Sequence, residues 1–233
     1  MDESPTFSPI LAHERHPARV RDHDQRTFAV AEHLIARIAA AHPGTVVEHV
    51  GSTAVAGLPG KGVIDLLVAA GAGPGWKPIG ATGTTDAKGP GLDGGAGPDQ
   101  VPSIVEALLG LGFQRQTGPD PMPPERPMLA GAIDHDGARF GIHVHVVPAH
   151  RPEAAELLAF RDALRADPAM RAAYTARKHT IVDSGATDSR EYSQIKGDWV
   201  QAELARLARL AGPGASPDPD EATEPGQALV PHQ

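Results

Sequence analysis

A single carboxylate interrupts an apolar segment in the first third of the chain. Asp65 stands in GVIDLLV, residues 62–68, where every other side chain is aliphatic or absent. Burying a carboxylate in such a strand is costly unless another group pairs with it. The segment therefore predicts that Asp65 belongs to a site.

Two histidines two positions apart form a second chemical feature. His143 and His145 lie in GIHVHVV, residues 141–147. Alternate residues of a strand share a face, so both imidazoles are predicted to project to one side and the aliphatic side chains between them to the other. The two histidines either bind a ligand or act in acid–base chemistry, or they sit in a polar cleft bonded to their neighbours.

A Gly-Ser-Thr turn precedes the Asp65 segment. Gly51 would let the main chain approach a ligand closely, and the backbone amides with the hydroxyls of Ser52 and Thr53 could converge on a phosphate. The alternative is an ordinary tight turn in which a hydroxyl caps the residues that follow. Lys61, just before the Asp65 strand, could likewise bind a phosphate or extend to water.

A Tyr-x-x-x-Lys spacing occurs twice near the C-terminus. Tyr174 with Lys178, and Tyr192 with Lys196, would each lie one helical turn apart. If both helices line a cleft, the ammonium groups could neutralise phosphate charge while the phenols stack or donate hydrogen bonds. Otherwise each tyrosine packs in the core and each lysine extends to water.

Composition excludes several classes of function. A formal charge of −8 over 233 residues makes nucleic acid an improbable partner, because such binding needs clustered Lys and Arg, although a small anion at a local basic patch is compatible with it. Cysteine is absent, which excludes disulfides, thiolate zinc sites and cysteine nucleophiles. The sequence shows neither a secretion signal nor an apolar run of roughly 18 residues, so no membrane span and a cytoplasmic location are expected.

Hydrophobic periodicity predicts the elements that must position these residues. The N-terminal part is predicted to contain a helix over residues 24–41, a strand at Val46–Val50, the Asp65 strand, a helix over 101–111, and strands over 133–136 and 139–147. The last two strands are expected to form a hairpin at Asp136-Gly137, a common turn dipeptide. Three helices follow from Arg151, the second capped by Asp167 before Pro168 and the third starting near Asp188.

Two segments are predicted to lie outside the packed structure. Residues 71–100 contain ten Gly and four Pro, which leaves too little apolar surface to offset the entropy of ordering them. Residues 213–233 are rich in Pro, Asp and Glu and are expected to be disordered. The predicted organisation is a core over residues 1–150 with a flexible insertion at 71–100, a helical subdomain over 151–212, and an acidic tail.

The turn and the Asp65 strand together resemble a known family. HVGSTAVAGLPGKGVIDLLV, residues 49–68, is similar to the hallmark of the GrpB family, which is assigned to the nucleotidyltransferase fold and is similar to a domain fused to some dephospho-CoA kinases. GIHVHVV resembles its histidine-bearing strand, and residues 160–178 and 192–196 resemble its C-terminal helices. The resemblance covers roughly residues 24–205 without the insertion. It implies an α+β fold with a nucleotidyltransferase-like mixed sheet flanked by helices and extended by C-terminal helices.

The superfamily resemblance implies a phosphate at the Gly-Ser turn and acidic residues holding divalent metal. A typical transferase has carboxylates at i and i+2 on one strand to bridge two metals. This chain has Leu67 two positions after Asp65, and it has histidines where the third carboxylate is expected. The remaining options are a one-metal site of Asp65 with His143, His145 or both, or a hydrogen-bonded Asp–His pair. The metal would be Mg²⁺ or Mn²⁺ carried by the nucleotide, or a transition metal that imidazole favours.

Three functions follow as expectations. The first is a protein that binds a nucleotide or another phosphorylated small molecule, and that could transfer a nucleotidyl group to an unknown acceptor. The second is a catalytically degenerate binding or regulatory module, favoured by Leu67 in place of a carboxylate. The third is a phosphohydrolase, because GIHVHVVP resembles the histidine-triad motif with Gly141 replacing the first histidine and His143 as the nucleophile. The oligomeric state is not determined by these patterns.

Overall fold

A five-stranded mixed sheet organises the molecule. The computed structural model describes residues 6–14, 17–73, 75–76, 100–116, 122–186 and 188–210. Its strands are β1 (Val46–Val50), β2 (Ile64–Ala70), β3 (Gln114–Arg115), β4 (Met128–His135) and β5 (Ala138–Pro148), in the spatial order β1-β2-β5-β4-β3. Strands β2 and β5 run parallel, and the other neighbouring pairs are antiparallel.

Helices cover both faces of the sheet. They are α1 (Arg26–Ala41), α2 (Gln100–Gly110), α3 (Pro152–Ala166), α4 (Pro168–Asp183) and α5 (Ser189–Leu210), and a short 3₁₀ turn spans Ser52–Ala54. The predicted α+β class, with a mixed sheet flanked by helices and a C-terminal helical extension, is confirmed. No helix in the described part of the chain is long and apolar enough to cross a membrane.

Strand alternation separates the core from the site. On β2 and β5, side chains such as Ile64, Leu66 and Val144 face α1 and α2 and are fully buried in the largest apolar cluster. Each buried side chain of this size contributes about 1.5–3 kcal/mol relative to exposure. The intervening positions, which include Asp65 and His143, therefore face the other side of the sheet, where α3 to α5 pack.

Local chemistry explains the element ends. The Asp167 carboxylate accepts hydrogen bonds from the backbone N–H groups of Ala169 and Met170, which begins α4 with Pro168 at its first position. Asp136 and Gly137 both have positive φ, +48° and +73°, as the tight turn between β4 and β5 requires. The predicted hairpin is thus confirmed, although both strands extend beyond the predicted bounds.

Some sequence predictions need correction. Helix α1 begins at Arg26 rather than at residue 24, because the Asp24 carboxylate accepts bonds from the backbone and side chain of Arg26 at the helix start. Strand β3 is absent from the predicted elements, since two exposed residues carry no alternation. Most of the 71–100 insertion and all of the 213–233 tail lie outside the described residues, so the predictions made for them stay predictions.

Candidate functional site

The parallel pairing of β2 with β5 brings the predicted carboxylate and imidazoles together. In the register Asp65 lies opposite His143, and His145 is two residues further on the same face. Asp65 Oδ1 is 3.4 Å from His143 Nδ1 and 3.5 Å from His145 Nε2. The three side chains are 19–26% exposed, so the cluster lies at the sheet surface rather than in the core.

Asp65 is held in its ionised form. Burial favours the neutral acid, but hydrogen bonds and charge interactions with His143 and His145 outweigh burial and hold the pKa of Asp65 well below its ordinary value of 3.8. The site therefore keeps a fixed negative charge at neutral pH.

The arrangement of the three side chains bears on the metal prediction. Within the described residues, no group of three or more His, Cys, Asp or Glu side chains could hold an ion. His143 Nδ1 and His145 Nε2 approach the same oxygen of Asp65 at ion-pair distances of 3.4 and 3.5 Å. The one-metal site of Asp65 with one or both histidines and the hydrogen-bonded Asp–His pair both stay predictions.

The Gly-Ser turn lies directly against Asp65. Gly51 has φ +72° and ψ −167°, a conformation that is essentially restricted to glycine. A β-carbon at Gly51 would lie 2.5 Å from Asp65 Oδ2, and one at Gly60 would lie 2.5 Å from Ser52 Oγ. Two glycines thus allow the turn, its serine and the carboxylate to approach one another closely.

Serine and three lysines line one cleft with Asp65. The lining residues are Ser52, Lys61, Val63, Asp65, Tyr174, Lys178, Tyr192 and Lys196. The space in this lysine cleft that a water molecule can occupy is about 20 Å³, little more than one water molecule needs. Three lysine side chains stand against one carboxylate in its wall.

Lys178 is the most deeply buried of these cations. Its side chain is 1% exposed, donates to the backbone carbonyl of Pro59, and places Nζ 4.4 Å from the centroid of the Tyr174 ring. Burial, assisted by the charge of Lys196, lowers the pKa of Lys178 to about 7. Neither predicted alternative for the Tyr-Lys pairs describes this fully, because Tyr174 packs in the core and its lysine is buried with it.

The other two lysines differ in their surroundings. Burial and the nearby charge of Lys196 lower the pKa of Lys61, whose Nζ lies 5.1 Å from the Tyr192 ring centroid. The pKa of Lys196 is raised, first by Tyr174 and then, against burial, by Asp65 and Tyr192. Burial raises the pKa of Tyr192 to about 12, so this phenol stays protonated. Mutual repulsion among the lysines makes the cleft a place where an added anion is stabilised.

Thr53 does not belong to the cleft wall. Its hydroxyl lies 3.0 Å from His49 Nε2 and donates to the carbonyl of Val63, and its own carbonyl accepts from His23 Nε2. The prediction that the Thr53 hydroxyl meets a phosphate is therefore not supported, because that hydroxyl is used to fasten the turn. Burial lowers the pKa of His49 to about 4, so this ring is neutral at physiological pH.

Two arginines of α3 hold the turn from outside, and sequence reasoning missed this role. Arg161 donates to the carbonyl of His49 and to the Glu48 carboxylate, and Arg165 donates twice to the carbonyl of Ala54. Their i, i+4 spacing puts both on one helix face. That spacing was the available signal, but it does not say which backbone carbonyls the face will meet.

Leu67 occupies the position where the superfamily resemblance implied a second carboxylate. It is fully buried and packs with Val50, Val147 and Leu158 under α3. The position is therefore part of an apolar cluster, and it offers no place for a second metal-binding oxygen.

Comparisons with known proteins identify relatives of the chain. A family model described as GrpB protein matches residues 17–74 and 96–206. The chain is 32% identical over 177 residues to a UPF0157 protein of Pseudomonas aeruginosa, covering 76% of this chain and 61% of that protein. It is 29% identical over 160 residues to a UPF0157 protein of Streptomyces coelicolor, covering 69% and 67%. The chain thus spans less than two thirds of the Pseudomonas relative.

Among solved structures, the chain is similar to the conserved protein GrpB from Enterococcus faecalis. The TM-score is 0.54 at 19% identity, and the match covers 83% of this chain and 96% of that chain, which shows a common fold. A weaker likeness, with a TM-score of 0.41 at 15% identity over 70% of this chain and 42% of the other, is to Cid1 in complex with its short product ApU. The family prediction made from the turn and the Asp65 strand is confirmed, and the chain belongs to the GrpB family.

Proposed function

We propose that this protein binds the phosphate chain of a nucleotide in the lysine cleft and transfers a nucleotidyl group to an acceptor. The observation that carries the proposal is the convergence of Lys61, Lys178 and Lys196 on the Gly-Ser turn, in a chain whose formal charge is −8. Cations that repel one another in a partly buried cleft are stabilised by a polyanion. A phosphate chain is such a ligand and accepts several charge-assisted hydrogen bonds at once.

Each wall of the cleft has a role in this proposal. Ser52 and the backbone of its turn would contact a phosphate oxygen at the narrow end, where Gly51 and Gly60 allow close approach. Lys61 and Lys196 would neutralise phosphate charge and charge that develops during transfer. Asp65, fixed by both histidines, would orient the reacting group, and Tyr174 and Tyr192 would enclose the lysines.

A divalent metal has a limited place in the proposal. Mg²⁺ or Mn²⁺ would enter with the nucleotide and be held mainly by its phosphates. Asp65 is the cleft residue whose charge suits such an ion. The role proposed for the lysines is independent of the metal.

Isothermal titration of the purified protein with ATP, GTP, CTP and UTP, each with magnesium or manganese, tests the first step. Ser52→Ala and Lys196→Met are expected to weaken the affinity for the bound nucleotide about tenfold or more, because each removes a hydrogen bond to a charged oxygen. Arg115→Gln, which removes an exposed cation on β3, should leave it unchanged. Absence of binding for all four nucleotides would reject the proposal.

A second candidate is a binding or regulatory module without turnover. The burial of Leu67 favours it, because an apolar cluster stands where a transferase carries its second carboxylate. This candidate predicts that a labelled nucleotide is retained without release of pyrophosphate or monophosphate over hours. Product release that Asp65→Asn abolishes would instead support the transferase.

The predicted His143 nucleophile of a phosphohydrolase would be revealed by a phosphohistidine that His143→Ala removes.

A further inference from the structure

A second cavity shares His145 with the Asp65 cluster. Its volume is about 240 Å³. Its floor is formed by His145 and Val147 of β5, and its walls come from α3, α5 and the segment before β4. The wall residues are Met122, Arg126, Glu153, Glu156, Leu157, Phe160, Val200, Gln201 and Leu204.

We name this space the amine cavity, after the ligand proposed for it. It borders the lysine cleft through two pairs of side chains. His145 lies in its wall and is 3.5 Å from Asp65, which lines the cleft. Phe160 lies in its wall and meets Tyr174 of the cleft edge to face, with ring centroids 5.2 Å apart. A molecule in the amine cavity would therefore sit beside the group held in the lysine cleft.

The size and surface of the amine cavity suit a small apolar body. A cavity of about 150 Å³ lined by aliphatic and aromatic side chains takes up benzene, and this cavity is larger by roughly the volume of a short polar substituent. Leu157, Phe160, Val200 and Leu204 supply an apolar lining for a ring or a branched chain. The lining differs from the lysine cleft, whose walls carry three ammonium groups.

Charge in the amine cavity favours a cation. Glu153 is already paired, since Arg151 Nη2 lies 2.9 Å and Arg126 Nε lies 3.7 Å from Glu153 Oε1. Glu156 has neither a hydrogen bond nor an ion pair with another residue that the structure describes, so its carboxylate is available to a ligand. Arg126, the cation in this wall, lies 3.7 Å from Glu153, so Glu156 is the wall charge that an ammonium group would pair with.

We propose that the amine cavity binds a small molecule with an apolar body and a primary amine, with Glu156 holding the ammonium group. This binding does not depend on the proposed function. The lysine cleft and the amine cavity would then hold two ligands on either side of His145 and Asp65.

Three probes of similar size test the proposal on the purified 233-residue chain in solution. Benzylamine, benzyl alcohol and benzoate share a ring and differ in charge, and their dissociation constants can be measured by NMR titration at pH 7.5. Benzylamine is expected to bind about tenfold tighter than benzyl alcohol, because its hydrogen bond to Glu156 is charge-assisted. Benzoate is expected to bind more weakly than both.

Matched variants assign any binding to this cavity. Glu156→Gln should reduce the preference for benzylamine over benzyl alcohol to less than threefold, whereas Glu32→Gln, the same change at an exposed position of α1, should preserve it. Val200→Trp should fill the cavity and abolish binding of both compounds, while Ala202→Trp on the exposed side of the same helix should not. Circular dichroism checks that the tryptophan variants fold. If they do not fold, the comparison of Glu156→Gln with Glu32→Gln decides the test.

The proposal is overturned if no probe binds, if benzoate binds as well as benzylamine, or if Glu156→Gln leaves the preference intact. A nucleotide titration of the same sample separates it from the proposed function. Amine binding without nucleotide binding would reject the transferase and keep the amine cavity. Nucleotide binding without amine binding would reject the amine cavity and keep the nucleotide-binding step of the proposed function.

Discussion

Gly51 and Asp65 are in such close contact that no side chain larger than hydrogen fits between them. A β-carbon at position 51 would lie 2.5 Å from Asp65 Oδ2, and the backbone there has φ +72°. The turn that would bind phosphate and the carboxylate that faces the histidines are thus one unit. A change at either residue is expected to disturb both.

Gly51→Ala tests this contact. Backbone strain of about 1–3 kcal/mol and the clash with Asp65 should together destabilise the protein by about 3 kcal/mol or more, measured by urea unfolding. Gly57→Ala is the matched control, because Gly57 also has φ +72° but a β-carbon added there would have nothing within 4 Å. The control should lose only the strain contribution, and equal losses in the two variants would contradict the proposed clash.

The His49 ring makes stability depend on pH. Its pKa is about 4 in the folded protein and near the ordinary 6.5 when unfolded, so between these values the unfolded chain binds the extra proton. Stability should therefore be lost as the pH falls from about 6.5 towards 4, by roughly 3 kcal/mol in total. His49→Gln, which can still donate to Thr53, should show a shallower decline in urea unfolding free energy. An unchanged slope would mean that His49 is not the group responsible.

Two cleft lysines are predicted to affect stability in opposite directions. Burial depresses the pKa of Lys178 from 10.5 to about 7, so its ammonium form opposes folding, and the shift alone corresponds to roughly 4–5 kcal/mol. Lys178→Met also removes the bond to the carbonyl of Pro59, which costs about 1–3 kcal/mol, so the net gain in unfolding free energy at pH 7 should be about 2 kcal/mol. Tyr174 and Asp65 raise the pKa of Lys196, so Lys196→Met should lower the unfolding free energy. Thermal unfolding measures both, with shifts of about 2–4 °C per kcal/mol. Both variants should weaken phosphate binding, and a Tm change of the same sign in both would contradict this electrostatic account.

Asp65→Asn separates the two views of the metal. If the carboxylate only repels phosphate, its neutralisation should tighten the binding of metal-free ATP and of MgATP alike, by several-fold. If the carboxylate contacts a metal that enters with the nucleotide, neutralising it should weaken the binding of MgATP and tighten the binding of metal-free ATP. Titrations with magnesium and with EDTA make the comparison, and Asp183→Asn, which removes an exposed carboxylate at the end of α4, serves as the control.

Several features of the fold and the candidate site could be read from local patterns. Strand β1 has the predicted bounds, Val46–Val50, and the turn at Asp136-Gly137 joins the predicted strands. Alternation around Asp65 and around His143 placed each side chain on one face of its own strand. These predictions succeed because strand period, turn conformation and helix capping depend on residues that are near one another in the chain.

The contacts between distant segments were decided by tertiary structure alone. The pairing of β2 with β5 brings Asp65 to the histidines, and the packing of α4 and α5 brings Lys178 and Lys196 to the turn. The same packing buries Lys178, turns the Thr53 hydroxyl inward and leaves Glu156 in the wall of the amine cavity. A residue type states which bonds a side chain can make. Only the packed helices and sheet determine which partners it meets and how much water it keeps.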